Sequence, residues 1–254
     1  MPLDLPPAND AVARRSSIVV AITQLRFSEN PAVSEPATGV RFHELLGGPE
    51  GRYPQINQAR RALINIGPGG QGAEHESSGW RMTAEGWLVG IFPGIATLQA
   101  TEAYEGWDDF AARFAQVLDA ISQVVQPAII ERVGLRLTDR LTDLGVEFVS
   151  GWEAYVAPAF LGPVLVPGLG QAVTSTEQRV VIDVGEGVTC NFQQAAMEPT
   201  DGSSDYLIDC DFFWEGGRPF DAAVVQRQVA TFREQADSVF GAATTATLIE
   251  RIAQ

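Results

Sequence analysis

Arg132, Arg136 and Arg140 recur at every fourth position in ERVGLRLTDR, residues 131–140. Side chains on a strand alternate between two faces. Three guanidinium groups therefore line one face, with Gly134 between the first two, while Val133, Leu135 and Leu137 line the other. Two further stretches repeat the pattern. Asp209 and Asp211 share a face of DYLIDCDFFWE, opposite Tyr206, Ile208, Cys210, Phe212 and Trp214. Arg179 and Asp183 share a face of EQRVVIDVG. Such residues can form cross-strand ion pairs. They can also grip an anionic group, because the planar arginine fork binds a carboxylate or phosphate through two bonds. Arg132, Arg136, Arg140, Arg179, Asp183, Asp209 and Asp211 are accordingly the candidate ligand- or partner-binding residues. Asp209 and Asp211, about 7 Å apart along a strand, have no accompanying nucleophile, so no catalytic residue is assigned.

Other chemistries lack their parts. All 17 basic residues are arginine, which removes Schiff-base and phosphate-loop lysines. GPGGQG has glycines but neither the lysine nor the Ser/Thr of a phosphate loop. Cys190 and Cys210 alternate with apolar residues and read as small buried hydrophobes. His43 and His75 are not at ligand spacing from each other or from a cysteine, so no metal and no cofactor is expected. His75, with Glu74 and Glu76 beside it, falls in a stretch that reads as loop. The formal net charge of −15 argues against nucleic acid, whose phosphates need a basic footprint. No run is apolar enough to span a bilayer, and residues 1–17 lack a secretory pattern, so the expected location is cytoplasmic. The balance leans against an enzyme. The expected occupant of the charged face is a protein partner or an anionic small molecule, with homo-oligomers left open.

The elements that must position these residues follow from periodicity. SIVVAITQLRF (17–27) is dense in β-branched residues and reads as a strand. RFHELL reads as a helical turn, RALINIG as a strand and GPGGQGAEHESSG (67–79) as a glycine-rich loop. GWRMTAEG, WLVGIFPG and IATLQATEAY read as strands separated by Glu85-Gly86 and Pro93-Gly94 turns. Trp107, Phe110, Phe114, Val117, Leu118, Ile121 and Val125 recur at helical spacing. The second half repeats the order. A strand over 128–141 is followed by SGWEAYVAPAF, read as a helix with a Ser150/Glu153 capping box. Three strands come next, then a helix with Val225, Val229, Phe232, Ala236 and Val239 on one stripe, then a short helix, TATLIERI. The expected fold is α+β, an antiparallel sheet with the long helices on one face. It is expected to arise by internal duplication of a strand-helix-three-strand-helix unit. The expected parts are an arm over 1–16 and two halves, 17–127 and 128–254, in one compact domain.

Arg132-Val133-Gly134-Leu135-Arg136 resembles the Arg-Ile-Gly-Leu-Arg-Tyr signature of a sporadically distributed prokaryotic family. Tyr53-Pro54, GWRMTAEG, YEGWDDF, GWEAYVAP and SVFGAATTATLIERI fall in the same order as in that family. Leu137 stands where the family tends to have an aromatic residue. The resemblance supplies no activity, cofactor or catalytic residue. The family's patchy distribution points to accessory gene clusters. With the lack of catalytic residues and the acidic surface, the first expectation is a non-enzymatic interaction or regulatory factor of a defence, toxin–immunity or biosynthetic cluster. The alternative is a binder of anionic small molecules, or an unrecognised enzyme, using a cavity between sheet and helices.

Overall fold

A computed structural model describes residues 3–66, 72–101, 103–196 and 204–252, without the side chains of 62–66 and 72–76. In chain order the described elements are α1 (Asp10–Ala13), β1 (Ile18–Phe27), α2 (Pro36–Leu45), β2 (Gln55–Ile66), β3 (Gly72–Ala84), β4 (Trp87–Phe92), β5 (Ile95–Thr101) and α3 (Trp107–Val124). The second half contains β6 (Ile129–Leu141), α4 (Pro158–Leu161), β7 (Thr176–Gly185), β8 (Val188–Ala196), β9 (Tyr206–Pro219), α5 (Ala222–Ala243) and α6 (Ala246–Ile252). These strands form one nine-stranded sheet in the order β2-β3-β4-β5-β1-β6-β9-β8-β7. Every neighbouring pair is antiparallel. The fold is therefore α+β with a single sheet running through both halves.

Each half follows the same path. Its first strand stands at the centre of the sheet, a meander returns to pair with it, and a long helix follows. The two first strands, β1 and β6, pair with each other and join the halves.

Hydrophobic alternation decides which face the helices cover. On β6, Val133, Leu135, Leu137 and Leu141 are buried, and Arg136 and Arg140 are exposed. On β9, Tyr206, Ile208, Cys210, Phe212 and Trp214 are buried on the same side. Against them α5 presents Val225, Val229, Phe232, Ala236 and Val239, the stripe its sequence spacing predicts. Asp221 opens α5 by accepting the Ala223 and Val224 N–H groups, donors that a helix start otherwise leaves unpaired. Helix α3 buries Phe110, Phe114, Val117, Leu118 and Ile121 beside it. Each such side chain is worth about 1.5–3 kcal/mol on burial, and this continuous apolar layer is the main stabilising term.

Two local expectations differ. The stretch 72–79 belongs to β3 and pairs with β2, from Ile66↔Gly72 to Ala59↔Gly79. Its Ser, Glu and His content suggests a loop, but an outer hairpin can keep such residues in a ladder. His75 therefore sits on a strand, and its side chain lies outside the described part. SGWEAYVAPAF forms a 3-10 turn over Val149–Ala154 and the single helical turn α4, without a side-chain cap. Pro158 cannot continue a helix from the residues before it. Residues 9–15 of the N-terminal arm are anchored to the rest of the structure. Asn9 caps α1 by accepting the Val12 N–H, and Arg15 is 3% exposed.

Arg15 enters a fully buried ionic network. Its Nε and Nη2 donate to the two Asp139 carboxylate oxygens at 2.6 and 3.0 Å. Its Nη1 donates to Asp237 and to the Val12 carbonyl at 2.5 and 2.9 Å. Asp237 also accepts from Arg233 Nε at 2.9 Å, and Asp139 from Ser17 Oγ at 2.7 Å. Burial alone lowers the Arg15 pKa, but the two carboxylates reverse this and leave it raised.

Candidate functional site

The face of the sheet away from the helices carries the predicted charges. Cross-strand register sets them in rows. Arg26 on β1 lies opposite Arg132 on β6, which lies opposite Glu215 on β9. In the next row Gln24 faces Gly134, which faces Phe213. In the third, Ile22 faces Arg136, which faces Asp211. Thr138 and Asp209 make a fourth pair.

The spacing of Arg132-Val133-Gly134-Leu135-Arg136 has a steric cause. The Arg132 guanidinium bends back over position 134. A Cβ there would lie 3.0 Å from Arg132 Nη1 and 3.4 Å from Cζ. The missing side chain gives Arg132 room to donate from Nη1 to Gln24 Oε1 at 2.8 Å and to stack 4.5 Å above the Phe213 ring. Arg132 is also 3.4 Å from Glu215 and 3.6 Å from Asp211.

Arg136 is held differently. Its Nε and Nη2 donate to Asp209, the shortest contact being 2.7 Å, and half of its side chain stays exposed. Hydrogen bonding to Asp209 raises its pKa against the lowering effect of burial. Thr138 Oγ1 donates to the same carboxylate at 3.1 Å. Arg140 pairs with Asp205, outside the predicted set.

Above these rows is a cavity of about 910 Å³, lined in part by Ile22, Gln24, Arg26, Arg61, Arg132, Gly134, Arg136 and Asp211. A register shift between Ile130 and Arg132 brings Glu131 to its rim as well. Arg61 comes from β2, five strands from β6 in the sheet order. It makes no ion pair or hydrogen bond with any described residue. Burial lowers its pKa, and the charge on Arg26 lowers it further. Asp211 is raised by burial, which outweighs the opposing pull of Arg132, a hydrogen bond from Asn191 and the charge on Arg136.

The predicted residues thus separate. Arg132, Arg136 and Asp211 line the cavity, and Asp209 braces Arg136. Arg179 and Asp183 do not join them. They lie on β7, three strands from β6, where Arg179 reaches Asn191 and Asp183 accepts the Gly185 N–H. Arg26 and Arg61 were missed because neither is part of an alternating charged row in its own strand, and only the sheet order brings them to the RVGLR stretch. The cavity itself is on the open face. Between sheet and helices the described residues form a packed apolar cluster.

Cys190 and Cys210 are both buried and free. A hydrogen bond with Cys190, then burial, raises the Cys210 pKa well above a normal thiol, which suppresses the reactive thiolate. Among the described residues no group of three His, Cys, Asp or Glu side chains is placed to hold a metal ion, and no helix is long and apolar enough to cross a membrane. Comparison of the chain with protein-family models, curated proteins and solved structures finds no match.

Proposed function

We propose that the groove on the open sheet face binds an anionic small molecule and that the protein acts by holding it, as a cytoplasmic accessory or regulatory factor. One observation carries this reading. Four guanidinium groups, Arg26, Arg61, Arg132 and Arg136, converge on one cavity, and Arg61 has no partner among the described residues. Asp209, Asp211 and Glu215 already pair with Arg136, Arg132 and Arg26, but Arg61 is left beside Arg26, and such like charges are unfavourable unless something anionic joins them. A bound carboxylate or phosphate would supply that charge and accept forked hydrogen bonds. The RVGLR stretch then has a ligand-side role. Arg132 is preorganised over Gly134, and Arg136 keeps donor capacity beyond the Nε and Nη2 that bond Asp209. The resemblance of this stretch to the Arg-Ile-Gly-Leu-Arg-Tyr signature is part of the same proposal and rests on the sequence alone.

The alternative of a protein partner is retained in one form, an acidic side chain presented to the same arginines. Native mass spectrometry of the gently purified protein, followed by titration calorimetry with inorganic phosphate, citrate and a nucleoside monophosphate, tests the proposal. A small fixed mass increment, or a titratable anion, is expected. Its affinity should drop about 10–100-fold in Arg61→Gln, the worth of one charged hydrogen bond. Binding unchanged in both Arg61→Gln and Arg132→Gln, or no anion bound at all, overturns it.

A further inference from the structure

Strand β7 ends the sheet with one side unpaired. Along that side the described residues give a single backbone hydrogen bond, from the Leu3 N–H to the Val184 carbonyl at 3.2 Å. Val180 and Val181 are 49% and 63% exposed. An edge with exposed apolar residues is a template for another strand, and proteins usually block it with charge, proline or a bulge. The register shift in β7 comes only after Asp183. Arg179 and Asp183, on the open face with Val181 between them, are in no ion pair with any described residue; their contacts are a 3.4 Å approach to Asn191 and the Gly185 N–H.

The sequence of this edge, Arg179-Val180-Val181-Ile182-Asp183, is complementary to itself when reversed. We propose that β7 pairs antiparallel with β7 of a second copy of this chain, about a two-fold axis through Val181. In that register Arg179 of each copy stands opposite Asp183 of the other, on both sides of the axis. Val181 faces its own counterpart on the open face, and Val180 faces Ile182 on the helix side. Neighbouring registers that keep the faces matched are worse. Moving the axis to Val180 sets Asp183 against Glu177, two like charges. Moving it to Ile182 leaves Arg179 opposite Gly185 and Asp183 opposite Val181. The favoured ladder ends one residue before Val184, whose carbonyl is already taken by Leu3. The interface is isologous, as two-fold symmetry requires. It makes one sheet continuous through both copies, with the two grooves on the same side. A ladder this short makes a reversible dimer rather than an obligate one.

Sedimentation velocity of the full chain, from low-micromolar to high-micromolar concentration at low salt, tests this. The wild type should show a concentration-dependent monomer–dimer equilibrium. Arg179→Asp and Asp183→Arg each place like charges at both ends of the ladder and should weaken the dimer at least about tenfold. The double variant Arg179→Asp/Asp183→Arg restores every pair and should restore the dimer. Val181→Lys, exposed and on the axis, provides a second disruption should either reversal fail to fold. A wild type that stays monomeric throughout overturns the proposal. So does a dimer indifferent to the single reversals, or one the double reversal does not recover.

Discussion

Replacing Arg15 by methionine keeps most of the side-chain bulk and removes the charge at the centre of the buried network. Two carboxylates lose donors. Asp139 loses two and keeps Ser17 Oγ at 2.7 Å. Asp237 loses one and keeps Arg233 Nε at 2.9 Å. Arg15, Asp139 and Asp237 are all 5% exposed or less, so water cannot replace what is lost. Breaking a buried pair from one side costs about 3–5 kcal/mol. Because each carboxylate retains one donor, no larger figure is expected. For a chain of this size that corresponds to a melting temperature lower by roughly 6–20 °C. Equilibrium urea denaturation gives the free energy directly. Combining Arg15→Met with Asp139→Asn removes the stranded charge and should recover part of the loss, making the two substitutions strongly non-additive. An Arg15→Met cost below about 1 kcal/mol, or additivity within about 0.5 kcal/mol, would refute the reasoning.

Two further outcomes concern the groove. Arg136→Ala breaks a pair whose arginine is half exposed and whose aspartate keeps Thr138 as a donor. Its stability cost in urea denaturation should lie between the exposed and buried limits, about 1–3 kcal/mol, while anion affinity in calorimetry falls further than this destabilisation explains. Asp211 has a folded-state pKa raised above the ordinary 3.8. The folded state therefore binds its proton more readily than the unfolded chain, and this residue's contribution to stability falls as pH rises through that interval. Protonation also removes a negative charge from the groove. Sulfate, which stays dianionic there, should bind more tightly as pH drops from neutral towards that interval. Asp211→Asn should show the tight affinity at neutral pH and lose this pH dependence.

Much of the fold is legible in the residues. Alternation in β6 and β9 separates an apolar face from a charged one, and the α5 stripe identifies what covers the apolar side. Proximity of Arg136 to Asp209 and of Arg132 to Asp211 follows once β6 and β9 are neighbours. Strand order is less visible, because it is set by pairings such as β1 with β6 between residues about a hundred positions apart. The groove depends on that order, so Arg26 and Arg61 could not be assigned to it from spacing, and Asp183 could not be excluded. The buried network did leave a trace. Asp139 falls in phase with Val133, Leu135 and Leu137, and a carboxylate in an apolar row needs a cation. Arg233 and Asp237, four residues apart on α5, border the buried stripe. What the chain does not reveal locally is that Arg15, from the N-terminal arm, completes the set.

That arrangement imposes an order on synthesis. Arg15 leaves the ribosome long before either carboxylate it will bind, since Asp139 follows it by 124 residues and Asp237 by 222. Until β6 and α5 are both in place the guanidinium lacks one or both of its acids, and desolvating it without them would be costly. The segment that carries Arg15 is therefore made before the elements that supply its acids and locked in place after them. A growing chain keeps its arm solvated, and only a molecule with its final long helix in position can close over it.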